Sequence, residues 1–429
     1  MLISNLFLPL KKEISADIIL KSHQLMIKSG MIKQISAGIY AWLPLGLCVL
    51  RKIENIIREE LNAEGFHEIL MPTMQPADLW NESGRGGYCG QETLRLKDRH
   101  GVDMIYGPTA EEVVTFIARG ELKSYKNLPC TLYNIQWKFR DEIRPRFGVM
   151  RGREFLMMDS YSFDKTKDES VKTYNKHYDA YLRIFARMGL VAIPMQADPG
   201  EIGGDLSHEF LVLADSGESE VFYDPKLNDL VSQISEGRET QNLREKIGQY
   251  YAATSDKHQG NTDGLAKMRG IEVGHIFYFG DKYTKPMNVQ VQDESGALFY
   301  PECGSYGIGV GRLVAAAIEA SNDSNGIIWH ESISPFDIGL INIGTKNPEC
   351  TKYADEIYAL LKSQGRDVLY DNTDDRAGEK FAKMDLIGLP KRVVISEKLM
   401  QDNKAEIKDR RSGVVEVISI ADIESYFRR

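Results

Sequence analysis

Thr131-Leu132-Tyr133-Asn134-Ile135-Gln136-Trp137-Lys138-Phe139 alternates as a strand and ends in Arg140-Asp141-Glu142. A loop rich in Arg, Pro and Gly follows, and Glu154 to Ser162 reads as a second strand. Two strands joined this way form a long antiparallel hairpin, with Arg140 at one strand end and Arg151 and Phe155 near the start of the other. A second stretch, Gly304-Ser305-Tyr306-Gly307-Ile308-Gly309-Val310-Gly311-Arg312, runs into the apolar segment Leu313 to Ile318. Alternating glycines ahead of a helix let backbone approach a ligand closely, and an arginine there adds a fixed, planar cation. Arg140, Arg151 and Arg312 could therefore meet one polyphosphate from three sides, with Phe155 offering a ring face to a base. No GxxxxGK[ST] stretch occurs, so the parallel-sheet P-loop reading fails.

Outward from these stretches the chain reads as α+β. Leu47, Leu50, Ile53, Ile57 and Leu61 recur at helical spacing. That helix leads into a short strand, Phe66 to Met71, closed by Pro72. Lys165 to Gly189 reads as a helix, and His208–Ala214 and Gly274–Phe279 as strands. The polar stretch 218–270 reads as a connector with one or two short helices rather than a domain. Glycines at Gly84, Gly86, Gly87 and Gly90 mark a loop. After Pro335 the pattern turns to alternating strands (338–343, 367–370, 392–395) and helices (350–363, 378–387), which predicts a compact α/β domain.

Composition sets outer limits. The chain has 429 residues, 42% of them hydrophobic and 27% charged, which fits two or three ordinary globular domains. A formal charge of −9 argues against a general polyanion-binding coat. The tail from residue 376 nevertheless carries 12 Lys/Arg against 9 Asp/Glu. Five scattered cysteines (Cys48, Cys89, Cys130, Cys303, Cys350) form no CxxC pair, so neither a disulfide framework nor a zinc site is expected and a cytoplasmic setting is. No basic leader precedes the apolar N-terminus, and no apolar run approaches the roughly 20 residues that span a bilayer. The expectation is no signal peptide and no membrane.

Several side chains carry candidate chemistry, each with a plainer reading beside it. Arg140 would bridge a carboxylate and an α-phosphate, cancelling their repulsion for in-line attack; the plain reading is a surface strand ion-paired through Asp141 and Glu142. Glu142 would accept from an exocyclic amine. Thr109 and Glu111, in Gly107-Pro108-Thr109-Ala110-Glu111-Glu112, could meet an ammonium or imino group, or equally form a helix cap with first-turn acids. His208 and His275 stand at strand starts, where histidine is as readily structural. Glu272 and Glu209 could hold Mg²⁺ against phosphates. Met150, Met157, Met158 and Cys303 read as core or pocket wall.

At these residues the chain resembles the bacterial-type prolyl-tRNA synthetase family of class II aminoacyl-tRNA synthetases, nearly end to end. Ser36 to Met71-Pro72 resembles the family's first motif, a dimer-forming helix and strand. Phe139 to Phe155 with Met158 to Phe163 resembles the second, and Gly304 to Arg312 the third. The resemblance implies an antiparallel catalytic domain over 1–334 and an anticodon-binding α/β domain over 335–429. It implies that Thr109, Glu111, Arg140, His275 and Ser305 line a proline site. Arg140, Glu142, Arg151, Phe155, Glu272 and Arg312 would bind ATP, with Arg140 and Arg312 catalytic and Mg²⁺ on Glu272 and Glu209. The tail resembles the anticodon module at Asp374 to Phe381 and Asp385 to Pro390, which implies tRNA contacts from Arg376, Lys380 and Phe381. The implied reaction joins L-proline to tRNA(Pro) through prolyl-adenylate.

Three positions depart from the family pattern. Ala110 stands where many relatives have His, Lys383 where an acid is common, and 218–270 is too short for the large editing insertion. That shortness implies a separate deacylase acting in trans. The rival readings are a non-catalytic class II relative, which would be expected to lose one of the three arginines, and a sibling enzyme for threonine, which would be expected to carry zinc ligands.

Overall fold

The computed structural model describes residues 1–87, 92–200, 206–235 and 242–428. Cys89, Gly90 and residues 236–241 of the expected connector lie outside them. The chain divides into two compact units, one of Ser36–Ile39 and Ile53–Ala316, the other of Met1–Ile35, Tyr40–Lys52 and Ala317–Arg429.

The first unit is built on a nine-stranded sheet. Its centre is Cys130–Phe139, Glu154–Asp164, Glu302–Ile308 and Ala266–Gly280, neighbours in that order and antiparallel throughout. Leu206–Leu213 pairs with Ala266–Gly280 as well. The expected hairpin is present, and Gly274–Phe279 proves to be the end of a strand of 15 residues. The expected strand over 66–72 shrinks to His67–Glu68, parallel to Cys130–Phe139, with one further bond from Ile69 N–H to the Tyr133 carbonyl at 2.8 Å. Beyond it Leu70 stays 78% exposed.

The stretch 218–270 is more than a connector. Ser219–Tyr223 and Ala252–Thr254 join the large sheet, flanking the short helices Lys226–Ser235 and Leu243–Ile247. An Ala-Ala-Thr strand has no alternation to read, because its pairing partners create it.

Strand register sets the working face. Side chains two residues apart on a strand share a face. Asn134, Asp159, Gly307, His275 and Glu209 fall in one row across five strands. Leu132, Tyr161, Ser305, Phe277 and Ser207 form the parallel row beside it on the same face. On the opposite face, where Ser160 and Tyr306 point, His177 of the helix Lys167–Arg187 is fully buried and stacks on Tyr306 at 3.4 Å and Phe66 at 4.3 Å. Its Nε2 lies 2.9 Å from Ser160 Oγ, so one imidazole ties the hairpin, the glycine-rich strand and Phe66 together. Burial pushes its pKa down to about 3, so it packs as a neutral ring.

The second unit carries a five-stranded sheet in the order Val368–Asp371, Ile338–Asn342, Lys391–Ile395, Lys404–Asp409, Val415–Ser419. The first three strands are parallel and the last two antiparallel. The helices Pro348–Ser363 and Ile420–Phe427 supply apolar side chains to its core through Ala354, Ile357, Leu361, Ile423 and Phe427. The strands and helices expected after Pro335 are all present, and the last two strands and the last helix extend them.

Candidate active site

The two sequence stretches converge on a cavity of about 310 Å³ in the first unit. Arg140, Arg151, Phe155, Glu272, His275 and Arg312 all line it. Glu142 lines it too, and so does Glu218, which the sequence reading passed over as part of a connector.

Each arginine is held differently. Asp141 is taken by Arg153 and Glu142 by Arg151, whose Nε lies 2.9 Å from Glu142 Oε2. Glu218 approaches Arg151 Nη1 at 3.6 Å. The ion-paired-strand reading of Arg140 therefore fails: among the described residues no carboxylate forms an ion pair with it. Its Nε reaches the Pro108 carbonyl at 3.4 Å and its guanidinium lies 5.3 Å over the Phe155 ring. A base stacking on Phe155 would use the opposite face. Arg312 is anchored through Nε to the Met150 carbonyl at 3.0 Å and through Nη1 to the Glu272 carbonyl at 2.8 Å. Its Nη1 also pairs with Glu272 Oε2 at 3.2 Å. Arg312 Nη2 makes no hydrogen bond among the described residues.

The glycines before Arg312 act through space rather than through unusual torsions. None of Gly304, Gly307 and Gly309 has positive φ. A methyl group on Gly307 would run into the Met157 side chain in the cavity wall, and one on Gly304 into Tyr306 and the Phe277 carbonyl. Glu142 is held below the usual carboxylate range by the backbone N–H of Arg144 and then by Arg151.

Glu209, Glu272 and His275 bring ligand atoms within 4.8 Å of one another. Glu209 Oε2 is buried without a hydrogen-bond partner among the described residues. Burial and the neighbouring Glu272 push the Glu209 pKa up, whereas His275, Arg312 and Arg140 together overcome burial and hold Glu272 ionised. Two carboxyl groups, one with an oxygen that has no hydrogen-bond partner among the described residues, fit a hard cation that also binds phosphate oxygens. His275 Nε2 is engaged by Ser207 Oγ at 2.7 Å. His208 bonds Tyr174 instead, and burial lowers its pKa to about 4, so it is structural.

Thr109 and Glu111 sit at the start of the helix Glu111–Glu121, whose first turn carries the acids Glu111 and Glu112 as the capping reading has it, but Thr109 does not cap it. The N-cap is Ala110, without a side-chain cap bond, and Thr109 Oγ1 donates to Glu111 Oε2 at 2.5 Å. Glu111 and Glu112 are buried against Arg85, at 3.3 and 3.1 Å. Arg85 lies 4.9 Å from the Trp80 ring and 5.5 Å from that of Tyr283. Ser305 is buried one row from His275. Arg85, Asp159 and Tyr161 carry no sequence signal as site residues: strand register brings Asp159 and Tyr161 under the Thr109 loop, and the turn after the helix Ala77–Glu82 brings Arg85. Cys303 is buried and burial pushes its thiol far up, so it is inert.

In the second unit, Arg376 is exposed at the start of the helix Ala377–Ile387. Phe381 lies under the Arg392 guanidinium at 4.5 Å. Lys380 is not presented to a ligand. It is fully buried, and its ammonium donates to the carbonyls of Asn342, at 2.7 Å, and of Thr373. A helix side chain facing the sheet cannot also face solvent, so Lys380 holds the 371–375 loop in place. Lys383, the departure from the family pattern, bridges Asp371 and Asp375 at 2.9 Å each.

Residues 94–321 match the tRNA synthetase class II core domain (G, H, P, S and T), and residues 337–429 match an anticodon binding domain. The chain is 54% identical over 433 residues to a proline–tRNA ligase of Hyphomonas neptunium, spanning 99% of this chain and 98% of that protein. It is 52% identical over 430 residues to a proline–tRNA ligase of Rhizorhabdus wittichii, spanning 98% of each. A solved structure of Giardia lamblia prolyl-tRNA synthetase in complex with prolyl-adenylate matches with a TM-score of 0.76. That match covers 94% of this chain and 75% of the other, at 17% identity, and shows a shared fold.

Proposed function

This chain belongs to the prolyl-tRNA synthetase family, and from that premise we infer how its own residues carry the reaction. It activates L-proline with ATP to prolyl-adenylate and transfers the prolyl group to the 3′ end of tRNA(Pro). The non-catalytic alternative finds no support, since Arg140, Arg151 and Arg312 all line one cavity. The observation that carries the reading is Arg140. It is a guanidinium in the cavity without a carboxylate partner among the described residues, anchored only by Pro108 and Phe155.

We propose that Arg140 spans the proline carboxylate and the α-phosphate, so that two anions are held in line for attack without mutual repulsion. The attacking carboxylate oxygen bonds to the α-phosphorus and pyrophosphate leaves with the electrons of the broken P–O bond. Arg151 and Arg312 hold the outer phosphates, and Phe155 stacks the base. Glu142 accepts from its amine with lone pairs not used by Arg151 and Arg144. Thr109 and Glu111 receive the imino group, with His275 and Ser305 on the neighbouring strands closing the site. Glu272 and Glu209 would hold Mg²⁺, which when bound neutralises phosphate charge. No group on the protein needs to act as a nucleophile.

We further propose that residues 335–429 read the anticodon through Arg376 and Phe381, with Lys380 positioning the loop beneath them. No helix among the described residues is long and apolar enough to cross a membrane, and a cytoplasmic homodimer is the proposed working form. The decisive experiment is pyrophosphate exchange measured separately with each amino acid. Proline should support exchange far above the rest, and equal exchange with threonine would overturn the assignment. Replacing Arg376 and Phe381 by Ala should leave exchange intact while charging of tRNA(Pro) falls.

A further inference from the structure

Beneath the Thr109–Glu111 loop runs a buried polar chain that the reaction as described does not use. Lys138 Nζ donates to Asp159 Oδ2 at 2.9 Å, Asn134 donates to Asp159 Oδ1 at 2.5 Å, and Tyr161 donates its hydroxyl proton to Asp159 Oδ2 at 2.7 Å. Asn134, Lys138, Asp159 and Tyr161 are all at most 5% exposed. Burial raises the Asp159 carboxyl above its ordinary value, and Lys138 offsets only part of that; the ionised form rests on the donors around it. Three donors converging on its two oxygens leave it an acceptor-only anion.

A phenol has one proton. With that proton committed to Asp159, the Tyr161 oxygen can only accept, and it accepts from Ala110 N–H at 3.0 Å. Thr109 has likewise given its proton to Glu111, so the 3.4 Å gap between the Thr109 and Tyr161 oxygens holds none. The loop therefore meets its ligand with acceptors alone: the lone pairs of Thr109 Oγ1 and the Glu111 carboxylate. Arg85 braces that carboxylate at 3.3 Å through the same Oε2 that Thr109 bonds. A secondary ammonium brings two N–H donors to two acceptors. A primary ammonium brings three and leaves one unpaired in a buried site, which is penalised.

We propose that Tyr161, fixed by Asp159 and Lys138, is a positioning residue that sets the hydrogen-bond polarity of the Thr109–Glu111 loop and so makes it select a secondary over a primary ammonium. The proposal rests on the prolyl-activating reading above. Sequence alone could not reach it, because Asp159 and Tyr161 meet Lys138 and Ala110 only through strand pairing.

The test is steady-state pyrophosphate exchange by the full-length enzyme and its Tyr161→Phe variant, with proline and with alanine. Losing one buried, charge-backed hydrogen bond should raise KM for proline about tenfold. KM for ATP and kcat should stay within about twofold, and the preference for proline over alanine should narrow by the same tenfold. In a Thr109→Val background, Tyr161→Phe should add nothing further to KM for proline. A drop in melting temperature with KM for proline and the proline–alanine ratio unchanged would mean a purely structural role and overturn the proposal. So would fully additive losses in the double variant. If Tyr161→Phe does not fold, the paired change Lys138→Met with Asp159→Leu removes the acceptor that fixes the Tyr161 proton without stranding a charge, and the same rise in KM is required of it. The unaltered enzyme measured alongside separates the two levels: without proline-dependent exchange the functional reading itself falls.

Discussion

Arg140 forms no ion pair among the described residues and is the side chain proposed to bridge the two reacting anions. Its acidic neighbours are consumed by Arg153 and Arg151, so its charge is left for substrate. Arg140→Ala should lower proline-dependent pyrophosphate exchange roughly a hundredfold, the usual scale for one donor lost at a developing charge. Its melting temperature should not move, because among the described residues its side chain makes one hydrogen bond, to the Pro108 carbonyl, and stacks on Phe155. Exchange within about threefold of normal would show that another cation bridges the two anions. Glu112 behaves in the opposite way. Burial, opposed by Arg85 and reinforced by Glu111, raises its pKa from 4.5 to about 7. A carboxyl whose folded pKa is raised binds more protons folded than unfolded between those values, so stability falls as pH rises from about 4.5 to about 7 and then levels. Glu112→Gln removes that slope. Melting curves should place the variant below the natural protein at pH 5 and level with it or above at pH 8; parallel curves would show that Glu112 is ionised throughout.

At the scale of elements, much of the fold is legible because hydrophobic period and turn chemistry agree. Leu47 to Leu61 and Lys165 to Gly189 predicted helices that the structure gives as Pro44–Ala63 and Lys167–Arg187. The hairpin strands matched nearly to the residue. The misses have physical causes. His67–Glu68 is a two-residue pairing whose end no sequence period marks, and Ala252–Thr254 is a strand only through its neighbours. Within the site, motif residues such as Arg312 and Phe155 could be placed from sequence, whereas Glu218 and Tyr161 needed the register of the sheet. Lys380 was misassigned because a lysine in a helical, motif-like stretch gives no sign of which face it occupies. Gly388 is a case where the sequence signal is strong. It follows the helix Ala377–Ile387 with φ 84°, and a methyl group there would strike the Ile327 backbone. Gly388→Ala combines left-handed strain with a backbone clash and should destabilise the protein by about 2–3 kcal/mol. Denaturant titration showing less than about 0.5 kcal/mol would mean that the cap relaxes freely.

For the molecule as a whole, two consequences concern partners. Leu70, 78% exposed beside Pro72 in the first motif, is an apolar side chain that a second copy would cover. Leu70→Asp should shift sedimentation from dimer toward the 48.5 kDa monomer, and a natural protein sedimenting only as monomer at micromolar concentration would refute the dimer. The other consequence concerns error. A pocket sized for proline excludes larger amino acids but discriminates against a missing methylene by only about 1–3 kcal/mol, so alanine should be activated at a low rate. Correcting that error on the same chain requires a second site able to hold an aminoacyl ester. Ser219–Tyr223 and Ala252–Thr254 are committed to the large sheet, and the helices between them have 10 and 5 residues. The small cavity against Glu218 and Ser219 has a volume of about 30 Å³, room for one water and not for an alanyl ester. We predict that the enzyme releases Ala-tRNA(Pro) uncorrected, leaving its clearance to a separate deacylase. Adding it to preformed Ala-tRNA(Pro) should leave the ester decaying at the spontaneous rate. Faster hydrolysis that is abolished by substitutions within 218–270 would place an editing site in this segment and remove the need for the second protein.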